Sequence, residues 1–411
     1  MSDFLQFSLA LAVIIALAKA AGYLSVKLGQ PSVLGELIVG IVLGPTAVDF
    51  LHFTFFTDTH LGEMIQELAE IGVLLLMFTA GLDLHLNDLA KSVKVSALAG
   101  TLGVILPIGL GAGLGLLFEM GGQEALFIGL ILAATSVSIS AQTLMELKVL
   151  RTRVGLSMLG AAVFDDILVV LGLSIFIAFT QSDPNLLEIV WIAARMALFL
   201  GIGTILGIKV LPRWSLRVAG REIAQGLVSF TFVVILLYAW SAEMLGGMAA
   251  ITGAFIAGLA LSRSQVKDRI RSGVATLAYG VFVPIFFINV GLSVDARQLL
   301  GPVFWLFLGM TVVAIVGKVV GAGVGALWGG LNKNEALQLG VGMMSRGEVG
   351  LIVASVGVSQ GLISEDAMAA IVGVVIITTL LTPPMLRWLF AKPKSEAEAV
   401  KKEPQPTGDS K

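Results

Sequence analysis

Long apolar segments, each followed by a short polar connection, recur along almost the entire chain of 411 residues. A helix needs about 20 predominantly apolar residues to cross the hydrocarbon core of a bilayer. Lipid offers no hydrogen-bond partner to the backbone, so repeated segments of this kind must be helical there. Only 13% of the residues are charged, against about 25% in a soluble domain, and the mean hydropathy is +0.96. The sequence therefore predicts an all-α polytopic membrane protein.

We predict thirteen membrane spans, of which the second and the ninth are short and rich in glycine. They cover approximately residues 5–26, 31–48, 64–86, 93–118, 124–147, 154–180, 186–210, 223–245, 248–262, 274–294, 302–328, 336–360 and 367–390. Residues 1–390 are expected to form a single transmembrane unit. The tail 391–411 is polar, and we expect it to be disordered on the cytoplasmic side.

The distribution of basic residues tests this count of spans. Loops that follow odd-numbered spans hold 15 lysines and arginines, whereas loops that follow even-numbered spans hold one, Arg297. Basic residues accumulate on the cytoplasmic side of a membrane protein. The asymmetry places the N-terminus outside and the C-terminus in the cytoplasm.

Three pairs of short segments indicate an internal repeat. Residues 79–82 resemble 289–292, and residues 135–138 align with 345–348 at the same offset of 210 residues. Residues 35–43 resemble 253–261 at a slightly larger offset. Each segment returns seven spans later, so the two copies must cross the membrane in opposite directions. Inverted repeats are typical of secondary transporters, whose sites lie at the repeat interface near the bilayer midplane.

Several ionisable side chains stand deep inside the predicted spans. A charge at the bilayer centre costs at least about 2.5–3.5 kcal/mol, so such residues are candidates for function. The five that lie farthest from a span end are Asp165, Asp166, Lys318, Arg346 and Glu348.

The adjacent acids Asp165 and Asp166 are the strongest candidates among them. Neighbouring residues of a helix point about 100° apart, so the two carboxylates face different partners beside one cavity. Two close carboxylates resist ionising together, and one of them is expected to hold a proton near neutral pH. Hard cations prefer oxygen ligands, so a carboxylate that takes either a proton or a cation is the minimum device for exchange. The alternative is a buried ion pair that only fixes helix packing.

Lys318 lies about midway along the eleventh span, where an unpaired lysine must lose its proton or find an acid. We expect Asp165 to pair with Lys318 and Asp166 to be the main cation ligand. A purely structural pair is the alternative for Lys318.

Two spans carry signals of an interrupted helix. Residues 133–140 hold four hydroxyl side chains, Thr135 and Ser136 among them, which either bond backbone carbonyls or line an ion cavity at a break. The repeat partner, residues 345–350, has two glycines flanking Glu348. Two opposed broken helices would bring half-helix ends of both signs to the midplane. We expect Arg346 and Glu348 to compensate these ends or to pair with each other, rather than to contact the ion.

Other ionisable residues are less informative. Glu36 fits a local structural pair or a dimer face as well as a role in transport, and Lys19 and Arg195 are suited to snorkelling or lipid contact. His52, His60 and His85 lie in loops or near span ends and do not form a proton relay.

The chain resembles the monovalent cation:proton antiporter-2 family, and within it the bacterial NapA-type sodium/proton antiporters. The resemblance covers about residues 25–390. It is carried by residues 30–36 (QPSVLGE), 134–137 (ATSV), the Asp165-Asp166 pair, Gly317-Lys318 and residues 346–350 (RGEVG).

The resemblance implies a multi-pass protein of the cell inner membrane with crossed broken helices and an elevator-like cycle, working as a homodimer in pH homeostasis. The core would comprise about 93–180 and 302–390, and the dimerisation scaffold about 5–86 and 186–294. Asp166 would bind the ion, with Asp165 and Thr135 as further Na+ ligands, and Asp165 would pair with Lys318. Members with both aspartates and the lysine are typically electrogenic and exchange Na+ or Li+ for H+.

Four other functions compete with this one. K+/H+ exchange is the alternative, together with a cation channel of the same superfamily, although the potassium-efflux branch commonly has glutamine where this chain has Asp165. A bile-acid-type sodium symporter shares crossed helices. An intramembrane aspartyl protease needs its carboxylates on two helices, whereas these are adjacent on one, so no enzyme is expected. We expect no cofactor beyond the transported Na+ and H+, and no nucleic-acid partner.

Overall fold

All regular structure is helical in the described part of a computed structural model, which comprises residues 2–84, 86–180, 186–221, 223–293, 295–299 and 303–391. The helices are α1 (Asp3–Lys27), α2 (Ser32–Leu43), α3 (Leu61–Asp83), α4 (Leu86–Leu117), α5 (Gly122–Ala133), α6 (Val137–Glu146), α7 (Arg153–Thr180), α8 (Leu186–Ala219), α9 (Gly226–Ser241), α10 (Ala250–Leu261), α11 (Lys267–Leu277), α12 (Val283–Leu292), α13 (Val303–Gly329), α14 (Lys333–Gly342), α15 (Glu348–Ser359) and α16 (Glu365–Phe390). A π-helical turn follows α9, and another joins α11 to α12.

Each predicted span falls on one of these helices or on two consecutive ones. Ten helical segments within the described residues are long and apolar enough to cross a membrane, and α2 and α10 are shorter apolar helices. The remaining span is the interrupted pair α14 and α15. The all-helical, multi-span prediction is confirmed, while the crossing of all thirteen segments and the orientation of the termini stay predictions. Residues 392–411 of the tail lie outside the described residues.

The helices associate in two bundles. In the first, α4 packs along α13, α5 and α7, and α13 also packs against α14 and α16. In the second, α3 packs with α10 and α12, α2 packs with α1 and α12, and α8 and α9 pack with α10. The bundles meet where α6 contacts α2 and α3, where α16 contacts α2, and where α7 contacts α8. We call them the core bundle (α4–α7 and α13–α16) and the scaffold bundle (α1–α3 and α8–α12).

Two helix crossings in the scaffold bundle are related by the internal repeat. Helices α2 and α12 cross at Gly40 and Gly291, and their repeat partners α10 and α3 cross at Gly258 and Gly81. A Cβ atom at any of the four positions would overlap the backbone of the opposite helix. Small residues let membrane helices approach closely and gain van der Waals contact. The repeat found in the sequence therefore corresponds to two equivalent packing sites in the fold.

Helix α8 lies at the edge of the scaffold bundle. Few of its residues are buried, and the large apolar side chains Leu198, Ile202 and Ile205 are more than half exposed. By contrast, most of the segment formed by α5 and α6 is buried. The apolar surface of α8 faces outward, whereas the interrupted helices lie inside the molecule.

Candidate functional site

Both spans that were predicted to be interrupted contain a break. Helix α5 ends at Ala133 and α6 begins at Val137, with extended backbone at Ala134 and Ser136 between them. Helix α14 ends at Gly342 and α15 begins at Glu348. A break frees backbone donors and acceptors that must be satisfied within the protein, because the bilayer interior supplies none.

The freed backbone groups bond to each other where the two breaks cross. Ser136 N donates to Ser345 O at 2.9 Å, and Ser345 Oγ donates to Ser136 O at 2.6 Å. The hydroxyl of Ser140 donates to Gly342 O, and the hydroxyls of Ser136 and Ser138 are 2.9 Å apart. All of these groups are buried. The serines of this stretch therefore hold the crossing together, and the lining of an ion cavity by Thr135 and Ser136 stays a prediction.

The Arg346 side chain reaches the end of α14. Its guanidinium donates to Met344 O at 3.2 Å and to Met343 O at 3.4 Å. It also donates to Ala314 O on α13 at 3.1 Å. The last carbonyls of a helix carry partial negative charge and lack helical partners. A buried cation at this place satisfies them, which is the geometry expected of a compensating residue.

Helix α16 holds the backbone of Arg346 in place. Arg346 N lies 3.2 Å from Thr378 Oγ1, and Thr379 Oγ1 donates to Arg346 O at 2.7 Å. The side chain of Glu348, predicted to act together with Arg346, lies outside the described residues. Its predicted role stays a prediction.

Asp165 and Lys318 form an ion pair between α7 and α13, in which the lysine ammonium contacts Asp165 Oδ1. Both side chains are fully buried. Removing one partner of such a pair leaves an uncompensated buried charge. The charged form of each residue is therefore stabilised by the other. The structure thus brings these two residues together in the combination that was expected.

Thr135, in the break between α5 and α6, lies beside the same carboxylate. Its Oγ1 and Asp165 Oδ2 are both buried, and among the described residues neither has another hydrogen-bond partner. Buried polar oxygens are nearly always bonded, so the Thr135 hydroxyl and the Asp165 carboxylate satisfy each other. Hydroxyl and carboxylate oxygens are the donor types that Na+ prefers as a hard cation.

Asp166 occupies a different position from its neighbour. It is partly exposed, and its Oδ2 lies 3.4 Å from the hydroxyl of Thr252 on α10. Lys318 is within electrostatic range of Asp166 as well as of Asp165. Asp165 therefore lies inside the core bundle, whereas Asp166 lies at the boundary between the core bundle and the scaffold bundle.

Sequence reasoning missed Thr252, which is one of two hydroxyl residues in the short ninth span. One signal was available, since short, glycine-interrupted segments at equivalent places of two repeats point to a transporter site.

Sequence reasoning also missed two contacts that join the bundles at the ends of α3 and α6. Glu146 accepts from Ser32 N, at the start of α2, at 2.6 Å, and it also accepts from the Ser32 hydroxyl. Asp83, at the end of α3, lies 3.3 Å from Arg151 of the core bundle. It is also 3.0 Å from Arg271 of the scaffold bundle. These acids lie at helix ends, where the sequence pattern does not distinguish an interbundle contact from a solvated charge.

Three other ionisable residues, Glu36, Lys19 and Arg195, make contacts of their own in the scaffold bundle. Glu36 is buried on α2, near Lys19 and Glu146. Lys19 is exposed and donates to Tyr279 O, and Arg195 packs against Gly247.

Two of the three histidines lie in the connection between α2 and α3. His52 and His60 are exposed in the connection between α2 and α3, and His85 lies outside the described residues. Outside the membrane segments, the hydrogen bond to Glu63 raises the pKa of His60 above its ordinary value.

Two interrupted helices that cross beside a buried lysine and two aspartates define the fold and site of a secondary ion transporter. The chain belongs to the sodium/hydrogen exchanger family, since the model of that family's transmembrane region matches residues 11–392. It is accordingly a multi-pass protein of the cell inner membrane, as predicted. The expected resemblance to bacterial sodium/proton antiporters is confirmed at the level of this family.

Several characterised relatives span nearly the whole chain. The Na(+)/H(+)-K(+) antiporter GerN of Bacillus cereus is 40% identical over 396 residues, covering 96% of this chain and 99% of that protein. A Na(+)/H(+) antiporter of Enterococcus hirae is 35% identical over 391 residues, covering 94% and 99%.

A solved structure supports the fold. The sodium proton antiporter MjNhaP1 of Methanocaldococcus jannaschii superimposes with a TM-score of 0.66. The match covers 94% of this chain and 97% of that one, at 16% sequence identity.

Proposed function

We propose that the protein exchanges Na+ or Li+ for H+ across the cell inner membrane as a secondary active antiporter. The observation that carries this proposal is the division of the aspartate pair. Asp165 is fully buried against Lys318, whereas Asp166 is partly exposed at the bundle boundary. A carrier that exchanges two cations needs one group that takes either of them, and Asp166 is placed where both have access.

In the proposed cycle, Asp166 binds a cation when it is ionised and releases the cation when it takes up a proton. Thr135 and the second oxygen of Asp165 complete the oxygen ligands of Na+, since they are buried side by side and have no other partner among the described residues. Ser136 contributes by holding the break open through its backbone bond to Ser345. Cation and proton then compete for a single set of groups.

The ion pair of Lys318 couples a second ionisation to this exchange. Protonation of Asp165 removes the charge that stabilises the Lys318 ammonium, so the pair breaks while the lysine keeps its own proton. One proton on Asp165 and one on Asp166 are then carried for each Na+, and this ratio makes the cycle electrogenic. Arg346 stabilises the end of α14 throughout, and Glu348 is assigned the compensating role at the start of α15.

Alternating access in this proposal comes from movement of the core bundle against the scaffold bundle. The helices of each bundle pack mainly against one another, and the two bundles meet along limited contacts. This arrangement favours rigid-body movement of one bundle relative to the other. All thirteen segments would cross the membrane, with the N-terminus outside and the C-terminus in the cytoplasm. The exposed apolar face of α8 is suited to a homodimer interface, with the fixed scaffold bundle of each copy at the centre.

K+/H+ exchange is the second candidate. It is favoured by GerN, which is named a Na(+)/H(+)-K(+) antiporter and covers almost the whole chain. A cation channel of the same superfamily is less well supported, because an open pore needs neither two opposed broken helices nor the aspartate pair with its lysine.

Reconstituted vesicles with an internal pH dye test the proposal. Addition of external Na+ or Li+ is expected to raise the internal pH, because the cation enters as H+ leaves. K+ serves as the comparison. Asp166→Asn is expected to abolish the signal, whereas Asp58→Asn, in an external loop, leaves it intact. Absence of a pH change with all three cations would refute antiport, and full activity of Asp166→Asn would refute the site.

A further inference from the structure

The hydroxyl of Thr252 links the scaffold bundle to the proposed ion carboxylate. Thr252 is buried in the first turn of α10, and its Oγ1 lies 3.4 Å from Asp166 Oδ2. Asp166 lies on α7 of the core bundle. The contact therefore joins the two bodies that move relative to each other in the proposed cycle.

The direction of this hydrogen bond has a chemical consequence. A hydroxyl that donates to a carboxylate favours the ionised form of that carboxylate. Lys318 on α13 is a charged group that acts on the same carboxylate, and Asp165 is its neighbour on α7. Lys318 is ion-paired with Asp165 within the core bundle. The Thr252 hydroxyl is a hydrogen-bond donor to Asp166 that comes from the scaffold bundle instead.

We propose that Thr252 is a positioning residue for cation exchange, in that its hydroxyl holds the Asp166 carboxylate ionised and oriented while the core bundle is in this position. The inference deepens the proposed function and rests on it. Movement of the core bundle away from α10 removes the donor. Proton uptake by Asp166 is then easier on the other side of the cycle, so that one hydroxyl helps to link ionisation to bundle position.

Thr252→Val tests this inference, because valine keeps the shape of threonine and loses the hydroxyl. One hydrogen bond to a charged group corresponds to about a 10- to 150-fold change in affinity. We expect the apparent KM for Na+ to rise by about this factor with a similar kcat, and the pH of half-maximal activity to move upward. Thr252→Ser, which keeps the hydroxyl, is expected to retain the wild-type KM and pH profile.

Thr231→Val is the matched control, since Thr231 is a buried threonine of α9 whose hydroxyl donates to Leu227 O in its own helix. It is expected to leave both parameters unchanged. If Thr252→Val does not fold, the comparison of Thr252→Ser with Thr252→Ala isolates the hydroxyl in the same way.

The outcomes separate this inference from the proposed function. Wild-type vesicles that show no cation-driven pH change would refute the proposed exchange itself. Wild-type vesicles that exchange, together with a Thr252→Val protein of wild-type KM and pH profile, would overturn only the role of Thr252. A loss of affinity in Thr252→Val that Thr252→Ser does not share supports it.

Discussion

Ser136 and Ser345 exchange two hydrogen bonds at the crossing of the interrupted helices, one from the backbone N–H of Ser136 and one from the hydroxyl of Ser345. In the internal repeat, Thr135 corresponds to Ser345 and Ser136 corresponds to Arg346. The bonded residues are thus displaced by one position from exact repeat partners. The crossing is therefore asymmetric, since the repeat partner of the Ser136 N–H is the Arg346 N–H, which bonds Thr378 Oγ1 on α16 instead.

Ser345→Ala is expected to destabilise this crossing. The substitution leaves Ser136 O without its hydroxyl donor, and an unsatisfied buried acceptor costs about 1–3 kcal/mol. Thermal unfolding of the purified protein in detergent measures the loss. Ser174→Ala is the control, because the Ser174 hydroxyl bonds only Val170 O in its own helix. Equal melting temperatures for the two variants would contradict the structural role of Ser345.

Lys318→Gln is expected to lower both stability and charge movement. Removing one partner of a buried ion pair costs about 3–5 kcal/mol, because the other charge is left alone. The double variant Lys318→Gln with Asp165→Asn removes both charges and is expected to recover much of the stability. Electrical recording from supported membranes measures the charge carried per cycle. Unchanged electrogenicity in Lys318→Gln would reduce the pair to a structural element.

The apparent KM for Na+ is expected to rise as the pH falls. Asp166 must lose a proton before it binds a cation, so protons act as competitors. In the limit of one proton per cation, KM changes about tenfold per pH unit below the ionisation of the site. Initial rates in pH-clamped vesicles at a series of Na+ concentrations provide the measurement. A KM that does not depend on pH would contradict competition at a shared carboxylate.

Gly40→Val is expected to disrupt the crossing of α2 and α12. A Cβ atom at Gly40 would overlap the carbonyl oxygen of Ile288 and lie 3.0 Å from the Gly291 Cα. Forcing additional volume into a packed contact costs about 1–3 kcal/mol or more. Gly113→Val in α4 is the control, because a Cβ there meets nothing within 4 Å. Melting temperatures in detergent, compared between the two variants, test whether the close approach requires glycine.

A cross-link between positions 32 and 146 is expected to stop exchange. Ser32 belongs to the scaffold bundle and Glu146 to the core bundle, and they are hydrogen-bonded to each other. The chain contains no cysteine, so Ser32→Cys with Glu146→Cys provides the only reactive thiols for a short bifunctional reagent. Exchange is expected to fall after treatment and to stay normal before it.

A cross-link within one bundle is the control for this experiment. Gln6 and Thr57 both belong to the scaffold side and lie 3.0 Å apart. Gln6→Cys with Thr57→Cys should tolerate the reagent without loss of exchange. Full activity of the cross-linked 32–146 pair would contradict relative movement of the bundles.

Much of the fold follows from the sequence because a bilayer permits few solutions. Apolar length specifies each helix, and the break in the fifth span is signalled by the hydroxyl-rich stretch around Ser136. The pairing of Asp165 with Lys318 was also predictable, since two opposite charges buried in a membrane have few other partners.

The contacts that depend on three-dimensional proximity could not be predicted. Arg346 was expected to compensate a half-helix end, but nothing in the sequence specifies that it reaches Met343, Met344 and Ala314. Likewise, Thr252 is separated from Asp166 by 86 positions, and a single threonine has no pattern that identifies its partner. Such pairs arise from how the bundles are placed together, which local periodicity does not encode.

The crossing at Ser136 and Ser345 is made by backbone groups and hydroxyls, whereas the carboxylates beside it are carried by α7. The hydrogen bonds that hold the crossing and the side chains that bind the ion can therefore be changed separately. An engineer who wants a carrier for a larger or softer cation would vary α7, Thr135 and Thr252, and would leave Ser136 and residues 343–347 untouched. The helix crossing would then stay intact while the protein transports a different cation.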